Sequence, residues 1–209
     1  MSVVTIIDKV TEWAAEEICA PMQLKCPPDD AENDANDGAY EYKLITPACF
    51  SLYVPSKEKL PPSILSPVPS VVIRVLEGED SLSGKTGKLK LDMVFSTWDT
   101  GTHGRDVLLP VEGKSGTFVK LPDDETAAYF TRNADGWRDA WNWVDVALRA
   151  LESTTNIAGY EIDKATPIKY GPITEQEAIP DFYPFWFAWV SFAVNYPIVR
   201  NMRQYEELL

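Results

Sequence analysis

The stretch DGWRDAWNWVDVALRALES, from Asp135 to Ser153, predicts an amphipathic α-helix around which the rest of the chain is organised. Large apolar side chains recur in it at steps of four, three, four and three residues, which places them on one stripe of a helix. Asp135 is suited to cap the first turn. The predicted core stripe consists of Trp137, Trp141, Val144, Leu148 and Leu151. Because it carries two tryptophans, this stripe needs a broad apolar surface to cover it.

A second amphipathic helix is predicted at the start of the chain, from Ser2 to Ala20. Pro21 ends it, because the residue before a proline is disfavoured in helical conformation. Its apolar stripe consists of Ile7, Val10, Ala14 and Ile18. Residues 27–39 follow as an acidic segment with almost nothing to bury, and they predict a solvated loop.

Strand signals dominate the region between the two predicted helices. The stretch GKLKLDMVFST, Gly87 to Thr97, alternates apolar and polar residues, as a half-buried strand does. The stretch SVVIRVL, Ser70 to Leu76, is rich in β-branched residues, and the turn residues at 77–86 predict a hairpin between the two. The remaining predicted elements here are strands at Tyr40–Thr46 and Cys49–Val54 and a proline-rich connection at 55–69.

Residues 98–134 are predicted to form a long loop excursion, a kind of segment that often carries function. One small hairpin is predicted within it, from Val107–Val111 and Thr117–Leu121. After the central helix, strands are predicted at Tyr160–Tyr170 and at Phe182–Tyr196, the second of them strongly aromatic.

The resulting order, a helix, three or four strands, a second helix and two strands (α-β-β-β-α-β-β), predicts a single α+β domain over residues 1–209. Strands that bracket helices without strict alternation favour a mainly antiparallel sheet, with the two helices packed on one face. The acidic loop, the proline-rich connection and the excursion are expected as long insertions in this domain.

The aromatic strand is apolar on both of its faces. Phe185, Phe187 and Trp189 point to one side, whereas Trp186 points to the other, because successive side chains alternate along a strand. Helices on one side of the sheet leave the second side in need of a cover, which either a neighbouring subunit or the long loops of the same chain can supply. The candidate subunit-interface residues are Trp186, Trp189, Phe192, Trp98 and Arg105.

The sequence carries no catalytic, cofactor-binding or metal-binding motif, so no enzymatic activity and no cofactor are expected. The only histidine, His103, is the single candidate general base, with Asp99 or Asp106 beside it, but no nucleophile or second histidine accompanies it. Cys19, Cys26 and Cys49 do not have metal-ligand spacing, and they are expected to stay reduced thiols.

Charge and hydropathy limit the kinds of partner that the chain is expected to bind. The net charge of −13 and the isoelectric point near 4.5 argue against binding to a nucleic-acid backbone, which rewards Lys and Arg. The longest apolar run, Phe185 to Val194, is shorter than the roughly 18 residues that a membrane helix needs. No signal peptide is recognised at the start of the chain, and no membrane association is expected.

The succession of elements resembles the tail terminator proteins of long-tailed bacteriophages. The resemblance rests on five features: the amphipathic first helix, the strand pair SVVIRVLEGED and GKLKLDMVFSTWD, the helix DGWRDAWNWVDVALRALE, a strand ending near TPIKY and the aromatic strand YPFWFAWVSFAV. The chain is longer than similar ring proteins, chiefly in its three insertions. No single residue of that family is specific enough to be carried over as a functional site.

This resemblance implies a non-enzymatic structural protein that forms a hexameric ring and terminates the tail tube. It further implies a location in the tail or neck of the virion, in the host cytoplasm during assembly, and contacts with tail tube, sheath and neck or head-completion proteins. DNA would pass through the ring without specific binding. The alternatives are another neck or tail-completion protein, a module that binds a small molecule or peptide through residues 182–196, and an enzyme centred on His103.

Overall fold

The computed structural model describes residues 2–27, 39–41, 43–99, 102–103, 106–114, 117–120, 136–175, 182 and 184–198. The helical elements are α1 (Val3–Ala14), a π-helix (Ala15–Cys19) that continues it, a 3₁₀ turn (Lys57–Lys59) and α2 (Trp137–Ser153). The strands are β1 (Leu24–Cys26), β2 (Ala39–Glu41), β3 (Lys43–Ile45), β4 (Ala48–Ser51), β5 (Ser70–Ser81), β6 (Thr86–Trp98), β7 (Thr102–His103), β8 (Asp106–Pro110), β9 (Thr117–Lys120), β10 (Asn156–Ile157), β11 (Tyr160–Ile162), β12 (Lys169–Pro172) and β13 (Phe185–Pro197).

The main sheet contains seven strands in the order β10-β11-β13-β6-β5-β4, with β12 pairing to β13 beside β11. Its centre is the long antiparallel pair of β6 and β13, in register from Trp98 opposite Phe185 to Thr86 opposite Pro197. All pairs in this sheet are antiparallel except β4 with β5, which is parallel. Two helices and a mostly antiparallel sheet give the chain the predicted α+β class.

The strands differ from the prediction in number and position. The predicted strand Tyr40–Thr46 is divided into β2 and β3, which pair with different partners. The predicted strand Tyr160–Tyr170 is divided into β11 and β12, because the intervening residues turn around Asp163. The proline-rich connection at 55–69 contains no strand, and residues 28–38 of the acidic loop lie outside the described residues.

The excursion at 98–134 is not a loop throughout. Its described residues form β7, β8 and β9, which join β2 in a second sheet of four antiparallel strands. The predicted hairpin is present as β8 and β9, with Leu109 opposite Val119. Gly113, with φ +78°, supplies the left-handed conformation in the turn between them. Two short strands gain stability once β2 and β7 extend the sheet on either side.

Both helices pack on one face of the main sheet, here called the helix face. It is built from odd-numbered residues of β6 and even-numbered residues of β13, and it forms one continuous core with the two helices. Trp143 of α2 is fully buried there, with its ring edge-on to Phe95 at a centroid distance of 5.1 Å. The indole N–H of Trp143 donates to the Ile18 carbonyl at 3.0 Å, which ties α2 to the end of the first helix.

The buried stripe of α2 is rotated from the predicted one. Val144 and Leu151 are buried as predicted, but Trp137 is 44% exposed, and the predicted position of that tryptophan in the core is wrong. The residues that α2 buries are Ala140, Trp143, Val144, Ala147 and Leu151. At 100° per residue this stripe is centred about 60° from the predicted one. The two small alanines let the helix approach the sheet closely, whereas the predicted stripe would hold it away.

The two helices also begin differently. Ser2 accepts a hydrogen bond from the Val4 N–H at 3.3 Å, as an N-cap residue does, so α1 starts where the sequence predicts. Helix α2 follows Gly136, which makes no side-chain cap, and the predicted cap Asp135 lies outside the described residues.

Gly87 lies next to the turn of the β5–β6 hairpin, where its packing can be tested. The Tyr196 ring lies over it, so a Cβ at this position would be 2.3 Å from Tyr196 Cζ. We expect Gly87→Ala to lower the free energy of unfolding by about 1–3 kcal/mol, because the ring must move and lose its hydrogen bond to Asp80. Urea denaturation measures this. Gly171→Ala is the matched control, since its nearest atom is 3.4 Å away, and an equal loss in both variants would contradict the account.

Candidate assembly surface

The face of the main sheet opposite the helices is here called the outer face. Even-numbered residues of β6 and odd-numbered residues of β13 point to it, as the pairing register requires. One end of this face, near Trp98 and Phe185, is apolar, and the other end is charged. The apolar end is here called the aromatic band, and it consists of Val94, Trp98, Phe182, Phe185, Phe187 and Trp189.

The aromatic band is only partly covered by the chain's own residues. Phe182 is 46% exposed and packs edge-on against Phe187 at a centroid distance of 5.3 Å. Phe185, Phe187 and Trp189 are half-buried, whereas Trp98 is buried. The indole N–H of Trp189 donates to the Pro172 carbonyl at 2.8 Å, which fixes the ring beside β12. The band is therefore an ordered apolar surface that still meets solvent.

A paired charge marks the border of the aromatic band. Arg74 donates to both carboxylate oxygens of Asp92, from Nε at 3.0 Å and from Nη2 at 2.6 Å. The hydrogen bond to Asp92 raises the pKa of the Arg74 guanidinium. Residues beyond this pair on the outer face, such as Lys90 and Lys88, are polar. An apolar centre with a charged margin is typical of surfaces that bind another protein.

Asp163 anchors the charged end to the loop after β11. Its Oδ2 accepts hydrogen bonds from Lys88 at 2.6 Å and from Thr166 at 2.6 Å, and its Oδ1 accepts one from the Ala165 N–H at 3.0 Å. The Lys88 hydrogen bond, and then that of Thr166, lower the pKa of Asp163 from 3.8 to about 2.

We expect Asp163→Asn to lower the free energy of unfolding at pH 7 by about 1–2 kcal/mol, because the Lys88 side chain is 41% exposed and solvent weakens the pair. The folded pKa lies below the unfolded one, so this contribution is complete above about pH 4 and is lost as the pH falls towards 2. Urea denaturation across this range, with Glu161→Gln as the control, measures it. A difference between wild type and Asp163→Asn that persists at pH 2 would contradict the assignment.

A buried ionic cluster lies where the chain leaves the main sheet for residues 100–135. Asp99 is 6% exposed and pairs with Lys25 at 2.6 Å, and its carbonyl accepts the Trp186 indole N–H at 2.9 Å. Burial, and then the charge of Asp99, raise the pKa of Asp139 in the first turn of α2. The ion pair and the indole hydrogen bond hold β1, the end of β6 and β13 together at the base of the excursion. The carboxylate of Asp99 thus has a structural partner, whereas the side chain of His103 lies outside the described residues.

The structure separates the candidate interface residues from one another. Phe192 is 1% exposed on the helix face and Trp98 is 4% exposed on the outer face, so both side chains are buried within the chain itself. Trp186 is half-buried on the helix face, and Trp189 lies in the aromatic band. Arg105 lies outside the described residues. The predicted set did not include Phe182, which lies beside Phe187 in the aromatic band.

Among the described residues, no three His, Cys, Asp or Glu side chains come together as metal ligands. None of the described helices is long and apolar enough to cross a membrane. The sequence matches no protein-family model, and no curated protein is significantly similar to it.

Proposed function

We propose that this protein is a structural subunit of a hexameric ring that terminates the tail tube of a bacteriophage and joins it to the neck. The aromatic band carries the proposal, because it is an ordered apolar surface on the sheet face that the helices leave uncovered. The resemblance of the sequence pattern to tail terminator proteins supplies the biological setting. The protein acts by binding other proteins, without catalysis and without a cofactor.

A closed ring needs two different surfaces on each subunit, related by the rotation between neighbours. The aromatic band is one of them. The second is a pair of exposed apolar residues that directly follow β4, at the opposite margin of the main sheet: Leu52 at 54% and Tyr53 at 68% exposure. Aromatic and apolar side chains contribute most of the energy at the centre of such contacts.

The net charge of −13 fits a ring that DNA must traverse without binding. A negatively charged lumen repels phosphate, so the genome passes through without being held. The tail tube, the sheath where one exists, and the neck or head-completion proteins are the proposed partners. A reconstructed ring with a basic lumen would contradict this part of the proposal.

Depletion of the protein during phage production tests the proposed function. Tails are then imaged by negative-stain electron microscopy, with a culture supplied with the wild-type gene as the control. Overlong, uncapped tubes beside tailless heads are expected. Tails of normal length that fail only to join heads would move the protein to the neck. Normal infectious particles would exclude an assembly role and leave the aromatic band as a binding site for a small molecule or peptide.

A further inference from the structure

Two cysteines that are thirty residues apart in sequence meet at the end of the first helix. Cys19 is the last residue of the π-helix and is 1% exposed, whereas Cys49 lies in β4 and is half-buried. The Cys19 thiol points at β4, with its Sγ 3.9 Å from the carbonyl of Ala48, the residue next to Cys49. Cys49 packs against the same core cluster that contains Cys19.

Cys19 and Cys49 both lie where the π-helix packs against β4. The neighbouring Cys49 side chain, and then burial, raise the pKa of the Cys19 thiol. Cys19, at 1% exposure, is also shielded from an oxidant in solvent. Because the thiolate is the nucleophile, Cys49, the more accessible of the two, is the thiol that reacts first with an external oxidant.

We propose that Cys19 and Cys49 form a disulfide-forming site whose oxidant is a low-molecular-weight disulfide such as oxidised glutathione. The Cys49 thiolate attacks one sulfur of the oxidant, which forms a mixed disulfide and releases one thiolate. Cys19 then attacks Cys49 Sγ while its proton passes to the departing sulfur, which forms the internal S–S bond and releases the second thiol. The protein loses two electrons and two protons, and the oxidant becomes two thiols.

The disulfide would tie the end of the first helix to the edge strand β4, which α1 and the π-helix already contact. It would also close a loop of the chain that includes the acidic segment, so that the unfolded chain has fewer conformations. A loop of this length is expected to raise the melting temperature by roughly 5–10 °C. The inference concerns the chain alone and does not depend on its role in a phage tail.

The experiment incubates the folded protein with oxidised glutathione, blocks the remaining thiols and maps the disulfides by mass spectrometry of an unreduced digest. We expect the Cys19–Cys49 linkage at a yield at least about tenfold above any linkage to Cys26, because folding brings only the first two thiols together. The Cys26→Ser variant is the matched control and should form the same linkage with the same rise in melting temperature.

A denatured sample and a Cys49→Ser variant serve as two further controls. In guanidinium chloride the selectivity should disappear, because the unfolded chain brings all three thiols together at random. The Cys49→Ser variant, which leaves the buried Cys19 in place, should show no rise in melting temperature on oxidation. A stable mixed disulfide on Cys49, a linkage to Cys26 in the folded protein, or no reaction would each overturn the proposal.

Discussion

Replacement of Trp143 by alanine is expected to lower the free energy of unfolding by about 3–5 kcal/mol. The side chain is completely buried, its ring packs edge-on against Phe95, and its N–H donates to the Ile18 carbonyl at 3.0 Å. Alanine leaves a cavity between α2 and the sheet and removes the donor from a buried carbonyl. Urea denaturation followed by fluorescence or circular dichroism measures the loss.

Trp137→Ala is the matched control, because it removes the same side chain from the same helix at a position that is 44% exposed. Trp137→Ala is expected to lower the free energy of unfolding by less than about 1 kcal/mol. The pair of variants also decides between the predicted stripe and the observed one. A larger loss for Trp137→Ala than for Trp143→Ala would show that α2 presents the predicted stripe to the sheet, and the described packing would be wrong.

Replacement of Phe182 by serine is expected to weaken the association of subunits by about 30-fold or more, with little loss of folded protein. The side chain is 46% exposed and packs only along one edge of Phe187, so the isolated fold loses about 1 kcal/mol at most. In the proposed hexamer, the phenyl group of Phe182 would lie at the centre of the contact between two subunits. The measurement is the titre of infectious phage when the variant complements a depleted culture.

Tyr170→Ser is the control for this effect. Tyr170 is 54% exposed but points away from the outer face, since it lies opposite Val190, a helix-face residue of β13. Its titre should equal that of wild type. Wild-type titre with Phe182→Ser, from protein that melts at the wild-type temperature, would remove the aromatic band from the proposed interface.

The sequence predicts most reliably the elements whose signal is local. The alternation in GKLKLDMVFST specifies a strand and its apolar face, the β-branched run in SVVIRVL specifies a strand, and the two are present as β6 and β5. The aromatic strand is likewise found as β13, with Phe187 and Trp186 on opposite faces. A period of two residues suffices for these predictions, because it does not depend on the partner strand.

Other features depend on contacts between distant residues and could not be predicted in this way. The choice of Trp143 over Trp137 for the core is set by the close approach of α2 to the sheet, which the helical period alone does not fix. The second sheet requires β2 and β9, which are remote in sequence, to pair. The aromatic band requires the register of β6 with β13, and only that register brings Trp98 and Val94 beside Phe185 and Trp189.

The most direct test of the proposed function is to locate the protein on isolated tails. An epitope-tagged version that supports normal phage growth is labelled with gold-conjugated antibody and imaged by negative-stain electron microscopy. Label is expected at one end of each tail, the end that joins the head. Label along the tube, label at the distal tip, or particles without label would contradict the assignment of this chain as the ring that terminates the tail tube.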